Sequence, residues 1–408
     1  MNQLQRNLVF NTVGSLLFYL CQASITLLVA ALSGPVESGL LATAMTISNV
    51  CLSVASYGMR TFQVSDLEHK YTDNTYRKSR QLTLLIAMVI CVAFAAINNY
   101  SQSQRWVILW YTLFRLVESW SDVWHGFLQR KERMDLVGIS FAVRGLLTVG
   151  TVTAGLLLSH NLVSTLMVLA LLNLAYVALV DRPLSARHAD LSKREGGSVP
   201  QLLLECMPLA VYAALNTSIP SVPRYFCERI LGTQAMGYFN NIFLPVMILQ
   251  VAMVYLFVPF ITTFARLWMT RDKPGFVKGI KRLSVALVAV WACGAVGVML
   301  LGRWGLSFLY PATPELLEYT PLLQPLVLAT VLTILATVLC HLLTIARAMG
   351  ALIVANVIGL AGAFAASIPL ISGFGLYGTA YATIAGIGVQ CIALCFFLYR
   401  ACKLQFSA

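Results

Sequence analysis

Apolar residues in this chain fall in runs of about 20, and it is the length of the runs that first points to structure. Twelve such stretches lie near residues 8–32, 39–62, 81–98, 106–128, 136–158 and 162–180, then near 202–223, 235–262, 283–308, 321–345, 349–371 and 376–399. A hydrocarbon core of roughly 30 Å takes about 20 residues of helix to cross, and only backbone that satisfies its own hydrogen bonds is tolerated there. The pattern predicts an all-α integral membrane protein with 12 transmembrane helices, the fifth and sixth separated only by residues 159–161.

Composition agrees: 59% of residues are hydrophobic and 11% charged, with a mean hydropathy of +0.78. A soluble core cannot absorb that much apolar surface. The positions of the 28 Lys and Arg residues then orient the chain. Twenty-two of them fall in alternate connections and at the termini, which predicts a multi-pass protein with both termini cytoplasmic. Arg105, Arg224, Arg229 and Arg303 are left on the outer side, and Arg115 and Arg144 lie inside spans. The net charge of +12 is therefore mostly topology, with some attraction to anionic membrane lipids. Nucleic acid is not an expected partner, because no basic stretch is interleaved with stacking aromatics. The ten Cys sit almost wholly within apolar segments with no metal-ligand spacing, and read as small buried hydrophobes.

One connection resembles a linker, DRPLSARHADLSKREGGSVP at 181–200. It divides the chain into an N-terminal six-helix bundle, 1–180, and a C-terminal six-helix bundle, 201–408. An even number of spans in each half puts any repeat symmetry on a pseudo-two-fold along the membrane normal, with a cleft between bundles as the expected site. Pro208, Pro220, Pro245, Pro259, Pro325 and Pro369 fall in or near spans of the second half only, so that half is expected to be the more bent. The outer loops are short, and the first offers only Glu37 as an acid, which argues against a membrane glycosyltransferase. The phosphate-binding pattern G-x-x-x-x-G-K-[ST] is absent from the sequence.

The fourth span carries Arg115, Glu118, Asp122 and His125, whose offsets place them within about 80° of one helix face at roughly 100° per residue. Charge at such depth needs a partner or a water-filled cleft. Two readings stand. In one, Arg115 pairs with Glu118 and Asp122 with Arg144 of the next span, a neutral bolt between helices. In the other, the arginines hold an anionic headgroup, which a planar guanidinium grips through two hydrogen bonds, while an acid takes a coupling H+ or Na+. Glu205, near the inner end of the seventh span, is a further candidate acid, and the interior of the last four spans contains no Asp or Glu.

Three segments carry a family likeness: GMRTFQVSDLEHKYTDNTYRKSR at 58–80, LQRKERMDLVGISFAVRG at 128–145 and IPSVPRYFCERILGTQAMGYF at 219–239. They resemble the polysaccharide-biosynthesis branch of the MOP exporter superfamily, the oligosaccharide-lipid flippases of bacterial inner membranes. The Arg60, Gln63, Ser65, Asp66 run and the Pro223, Arg224, Tyr225, Phe226 run carry it best. The resemblance implies a V-shaped, MATE-like fold in the bacterial inner membrane. Its cargo would be a polyprenyl-pyrophosphate-linked oligosaccharide, moved from inner to outer leaflet by alternating access beside a glycan polymerase and glycosyltransferases. Arg60, Arg115, Arg144 and Arg224 become candidate substrate-binding residues; Glu118, Asp122, Asp66 and Glu205 become candidates for ion coupling or structural pairing. An ion-coupled multidrug antiporter is the alternative.

Overall fold

The structure, a computed structural model, describes residues 3–66, 70–189, 196–311 and 313–407, apart from the side chains of residues 4, 248–259, 261, 262 and 407. Lys193, Arg194 and the side chain of Pro259 lie outside the described residues. No strand occurs among the described residues. The first half consists of α1 (Gln3–Ser56), α2 (Met59–Ser65), α3 (Asp73–Ile97), α4 (Gln102–Arg130), α5 (Met134–Ser159) and α6 (Leu162–Tyr176). A π-helical turn (Val177–Asp181) and α7 (Arg182–Ala186) follow. The second half consists of α8 (Val199–Leu231), α9 (Thr233–Met269), α10 (Lys273–Leu309), a 3-10 segment (Pro314–Leu322), α11 (Leu323–Ile345), α12 (Met349–Phe374) and α13 (Leu376–Ser407).

At 54 residues α1 is about 80 Å long at 1.5 Å per residue, more than twice a hydrocarbon core. It is two crossings joined without a loop. The break is Gly34, with φ 84° and ψ −177°, a backbone state that a side chain opposes. Pro35 follows it and donates no amide hydrogen bond. The outer loop expected around Glu37 is therefore absent, and Glu37 is helical. Nine described helices are long and apolar enough to cross a membrane. Counting the arms of α1 separately and adding α4 and α9, which match the others in length, brings the crossings to about 12. The short connections are built from caps: Thr72 accepts from Thr75 N at 3.2 Å, Ser101 from Gln104 N at 3.2 Å and Asn161 from Ser164 N at 3.2 Å. The helices of the second half continue through Pro220, Pro223 and Pro369.

Two compact units make up the chain, Met1–Ala214 and Leu215–Ala408. The boundary falls inside α8 and not in the linker, because the start of α8 packs on the first half. Leu202 and Cys206 are buried with Met59, Tyr71, Tyr76, Trp124 and Phe127. Gly58, at φ +62°, carries Leu209 against the space where a Cβ would stand.

Within the first unit α1 and α5 cross on glycine. A Cβ built on Gly138 would lie 2.0 Å from the Phe10 carbonyl oxygen, and one on Gly14 would lie 1.9 Å from that of Gly138. Such small-residue crossings let helices associate where lipid removes the hydrophobic drive between them. In the second unit Gly386 meets Ala363, while Gln390 Nε2 donates to Asn356 Oδ1 at 2.9 Å and Asn216 Oδ1 at 3.1 Å. Leu85, Leu158, Met299, Leu300 and Ile392 stand exposed on the outside, as a lipid-facing surface requires.

Candidate functional site

The first segment singled out in the sequence is the one that docks α2 onto α4. Gln63 is fully buried and donates from Nε2 to the Val123 carbonyl at 2.9 Å. Gly126 makes the room, since a Cβ there would stand 2.2 Å from Gln63 Oε1. That docking sets Arg60 over Asp122. Its Nη1 donates to Asp122 Oδ1 at 3.0 Å and to the Asp122 carbonyl, and its Nε and Nη2 donate to Gln129 Oε1 at 3.1 and 2.7 Å.

Arg80 comes to the same carboxylate from α3. It is fully buried, and its Nη2 donates to Asp122 Oδ2 at 3.1 Å while Nη1 holds the Ala55 carbonyl at 2.7 Å and Ser119 Oγ at 2.9 Å. One carboxylate thus faces two guanidiniums. The expected Asp122–Arg144 pair is not formed, because Asp122 turns toward α2 and α3. The side chains of Asp122 and Arg60 keep 36% and 24% of their surface open, so the extra cation is reachable. In the sequence Arg80 reads as one more orientation signal, and nothing in the linear pattern separates it from Arg77 and Lys78.

Deeper along α4, Arg115 Nη1 pairs with Glu118 Oε2 at 2.5 Å, and Glu118 Oε1 accepts from Gln22 of α1. Arg115 Nε is buried without a hydrogen-bond partner. Arg144 on α5 is 1% exposed. Its Nε reaches Asn173 Oδ1 at 3.4 Å, its guanidinium lies 5.7 Å from the Phe18 ring centre, and Nη2 has no hydrogen-bond partner. Among the described residues, no ion pair includes Arg144.

His125 does not join that set. It turns with Ser121 toward Asp181, which the sequence places at the start of the linker and which the π-helical turn instead buries at 2% exposure. Ser121 Oγ donates to Asp181 Oδ2 at 2.8 Å, Ser140 Oγ to Oδ1 at 2.7 Å, and His125 Nε2 lies 3.5 Å from Oδ2.

The remaining candidates are interfacial. Asp66 accepts from Lys70 N at 2.8 Å, Tyr71 N at 3.0 Å and Tyr76 OH at 2.9 Å, which folds the connection into α3. Glu205 pairs with Lys70 Nζ at 2.6 Å, with both side chains substantially exposed. Burial and the Glu205 carboxylate push the neighbouring Tyr71 phenol up to about 12, so it stays neutral. Asp135, with no side-chain exposure, gathers Arg6 at 3.1 Å and Arg133 at 3.0 Å and ties the start of α1 to α5. In the second unit Arg224 of α8 stacks over Phe243 of α9 at 4.4 Å, and no ion pair among the described residues includes it. Gly232, at φ +87°, makes the turn between these helices.

A family model described as "Polysaccharide biosynthesis protein" matches residues 4–268. The capsular polysaccharide biosynthesis protein CapF of Staphylococcus aureus is 23% identical over 310 residues, 75% of this chain and 77% of that protein. Among solved structures, the fold is similar to an inward-facing multidrug resistance MATE family transporter of the MOP superfamily. That match has a TM-score of 0.69 and 13% identity, covering 98% of this chain and 99% of the other. The fold is also similar to the lipid II flippase MurJ in an inward closed conformation, at a TM-score of 0.70 and 10% identity, over 98% and 90% of the two chains. The fold is thus that of MOP-superfamily membrane transporters.

Proposed function

The chain belongs to the polysaccharide biosynthesis protein family, and on that premise we propose that it is a flippase for a lipid-linked oligosaccharide. Its cargo is a polyprenyl-pyrophosphate-linked repeat unit of a surface polysaccharide, moved from the inner to the outer leaflet of a bacterial inner membrane by alternating access. The two bundles are the moving bodies, with the start of α8 up to Ala214 carried by the first, both termini are cytoplasmic, and a glycan polymerase and glycosyltransferases act on either side of the step.

The observation that carries this reading is the surplus of arginine in the membrane-spanning part. Among the described residues, Arg60, Arg80, Arg115 and Arg144 are set against Asp122, Glu118 and the more distant Asp181, and Arg144 and Arg224 stand outside every ion pair. Uncompensated cations in a bilayer are costly, and an anionic cargo that arrives with its own charge offsets that cost. A pyrophosphate suits guanidinium better than ammonium, because the planar fork makes two hydrogen bonds at once. Arg60, Arg115, Arg144 and Arg224 are the residues proposed to meet it, while the polyprenyl tail stays in lipid. A cationic drug would need the reverse balance.

The deciding experiment reconstitutes the protein in liposomes and follows a labelled polyprenyl-pyrophosphate glycan beside a cationic dye. Movement of the glycan across the bilayer supports the flippase. Movement of the dye alone establishes the multidrug antiporter in its place.

A further inference from the structure

The acids expected to couple transport to an ion are each occupied by permanent donors. Asp66 is taken by two amides and a phenol, Glu205 by Lys70, Asp122 by two guanidiniums and Glu118 by Arg115 and Gln22. A carboxylate held by donors that keep their own protons has little to gain from taking up another. Asp181 differs, because the ionisable side chain nearest its carboxylate is an imidazole, His125 Nε2 at 3.5 Å from Oδ2, which can itself take up and release a proton.

We propose that His125 and Asp181 form a proton-binding site that couples the first bundle to pH. This deepens the flippase reading, on which it rests, by naming its coupling ion and the residues that take it up. The geometry defines the chemistry. Both serines donate to Asp181, so their lone pairs are what His125 Nε2 meets at 3.2 Å from each hydroxyl. Nε2 therefore carries its hydrogen, and the exchangeable proton enters at Nδ1. With that proton bound, the pair is a neutral ion pair. Without it, Asp181 is a buried anion held by two hydroxyls and a neutral imidazole.

The other charged and titratable groups facing the pair are Arg144 of α5, one turn beyond Ser140, and the Tyr176 phenol at the end of α6, with Glu118 of α4 on the far side of Arg144. The Phe141 ring closes the remaining side, edge-on to His125 with centres 5.0 Å apart. The site also sits where the chain can respond. Asp181 ends the π-helical turn Val177–Asp181, a wide turn of a kind frequent at functional sites, and α7 and the connection to α8 follow directly. Release of the proton weakens what pins that turn to α4 and α5, and uptake restores it.

The test labels histidine ring carbons in the full chain in lipid nanodiscs and follows them by NMR from pH 5 to pH 8. The signal lost in His125→Gln identifies His125. The expected result is titration of that signal inside this range, with its midpoint displaced in Asp181→Asn. A signal that does not move between pH 5 and 8, or that moves with Na+ and not with pH, overturns the proposal. If His125→Gln does not fold, assignment through Ser140→Ala, which shifts the same signal, serves in its place. In the reconstituted flipping assay, a rate that changes with pH by up to about tenfold per unit in the native protein becomes flat in His125→Gln. A glycan that never moves in the native protein defeats the flippase reading, while the titration result stands separately.

Discussion

Asp122 Oδ2 accepts from Arg80 Nη2 at 3.1 Å, which makes a fully buried guanidinium on α3 depend on a partly open carboxylate on α4. Removing the carboxylate leaves Arg80 without a counter-charge. Breaking a buried pair from one side costs about 3–5 kcal/mol. Asp122→Ala is expected to lower the unfolding temperature in detergent sharply, and Arg144→Ala added to it will not restore stability. Recovery in that double variant would return Asp122 to Arg144. Arg80→Met in the Asp122→Ala background is the change expected to recover part of the loss.

Gly138 is the contact on which α1 and α5 cross. Gly138→Val places side-chain atoms into the Phe10 carbonyl, 2.0 Å from where a Cβ would stand, and is expected to abolish accumulation of folded protein in the membrane. Gly150 lies on the same helix with nothing within 4 Å of the place its Cβ would take, so Gly150→Val should leave expression and monodispersity close to native. Size-exclusion profiles of the two variants side by side decide the matter.

Arg144 and Arg224 separate charge from shape. If they meet the pyrophosphate, Arg144→Ala and Arg224→Ala reduce flipping at least about tenfold, the scale of one charge-assisted hydrogen bond of roughly 1.5–3 kcal/mol, with unfolding temperatures little changed. Lysine at either position should recover only part, because it cannot donate bidentately. Equal loss of stability and of flipping would make these arginines structural.

Lys70 and Glu205 lie at 2.6 Å but substantially in solvent or headgroups, and such pairs contribute about 0–1 kcal/mol. Lys70→Ala should shift the unfolding temperature barely at all and should do so less at high salt. A large shift would mean that this pair, and not apolar packing around Cys206, fastens α8 to the first unit.

Much of the fold is legible in the linear sequence. Runs of apolar residues mark the crossings, since spanning a bilayer is a requirement of length and composition, although α1, α8, α9 and α10 continue as helix beyond their apolar stretches. Ser101, Thr72 and Asn161 announce their helix starts by local chemistry. The arginine surplus inside spans can also be read, as can the pairing of Arg115 with Glu118, because residues three apart on a helix are neighbours. Asp122 visibly needs a cation, yet its partners are Arg60 and Arg80 and not Arg144. Helix spacing restricts which face a side chain occupies, and says nothing of which neighbouring helix covers that face.

What sequence alone determined, then, is membrane insertion, the approximate number and position of the crossings, and an excess of cationic charge among them. The tertiary structure decided which charges neutralise one another. Arg80 left the row of orientation signals to share Asp122 with Arg60, and Asp181 left the linker to meet His125 through a π-helical turn. The reason is physical. Hydropathy acts residue by residue along the chain, whereas the energy of a charge in a low-dielectric interior depends on what lies within a few ångströms in space, and only the packed helices set that distance.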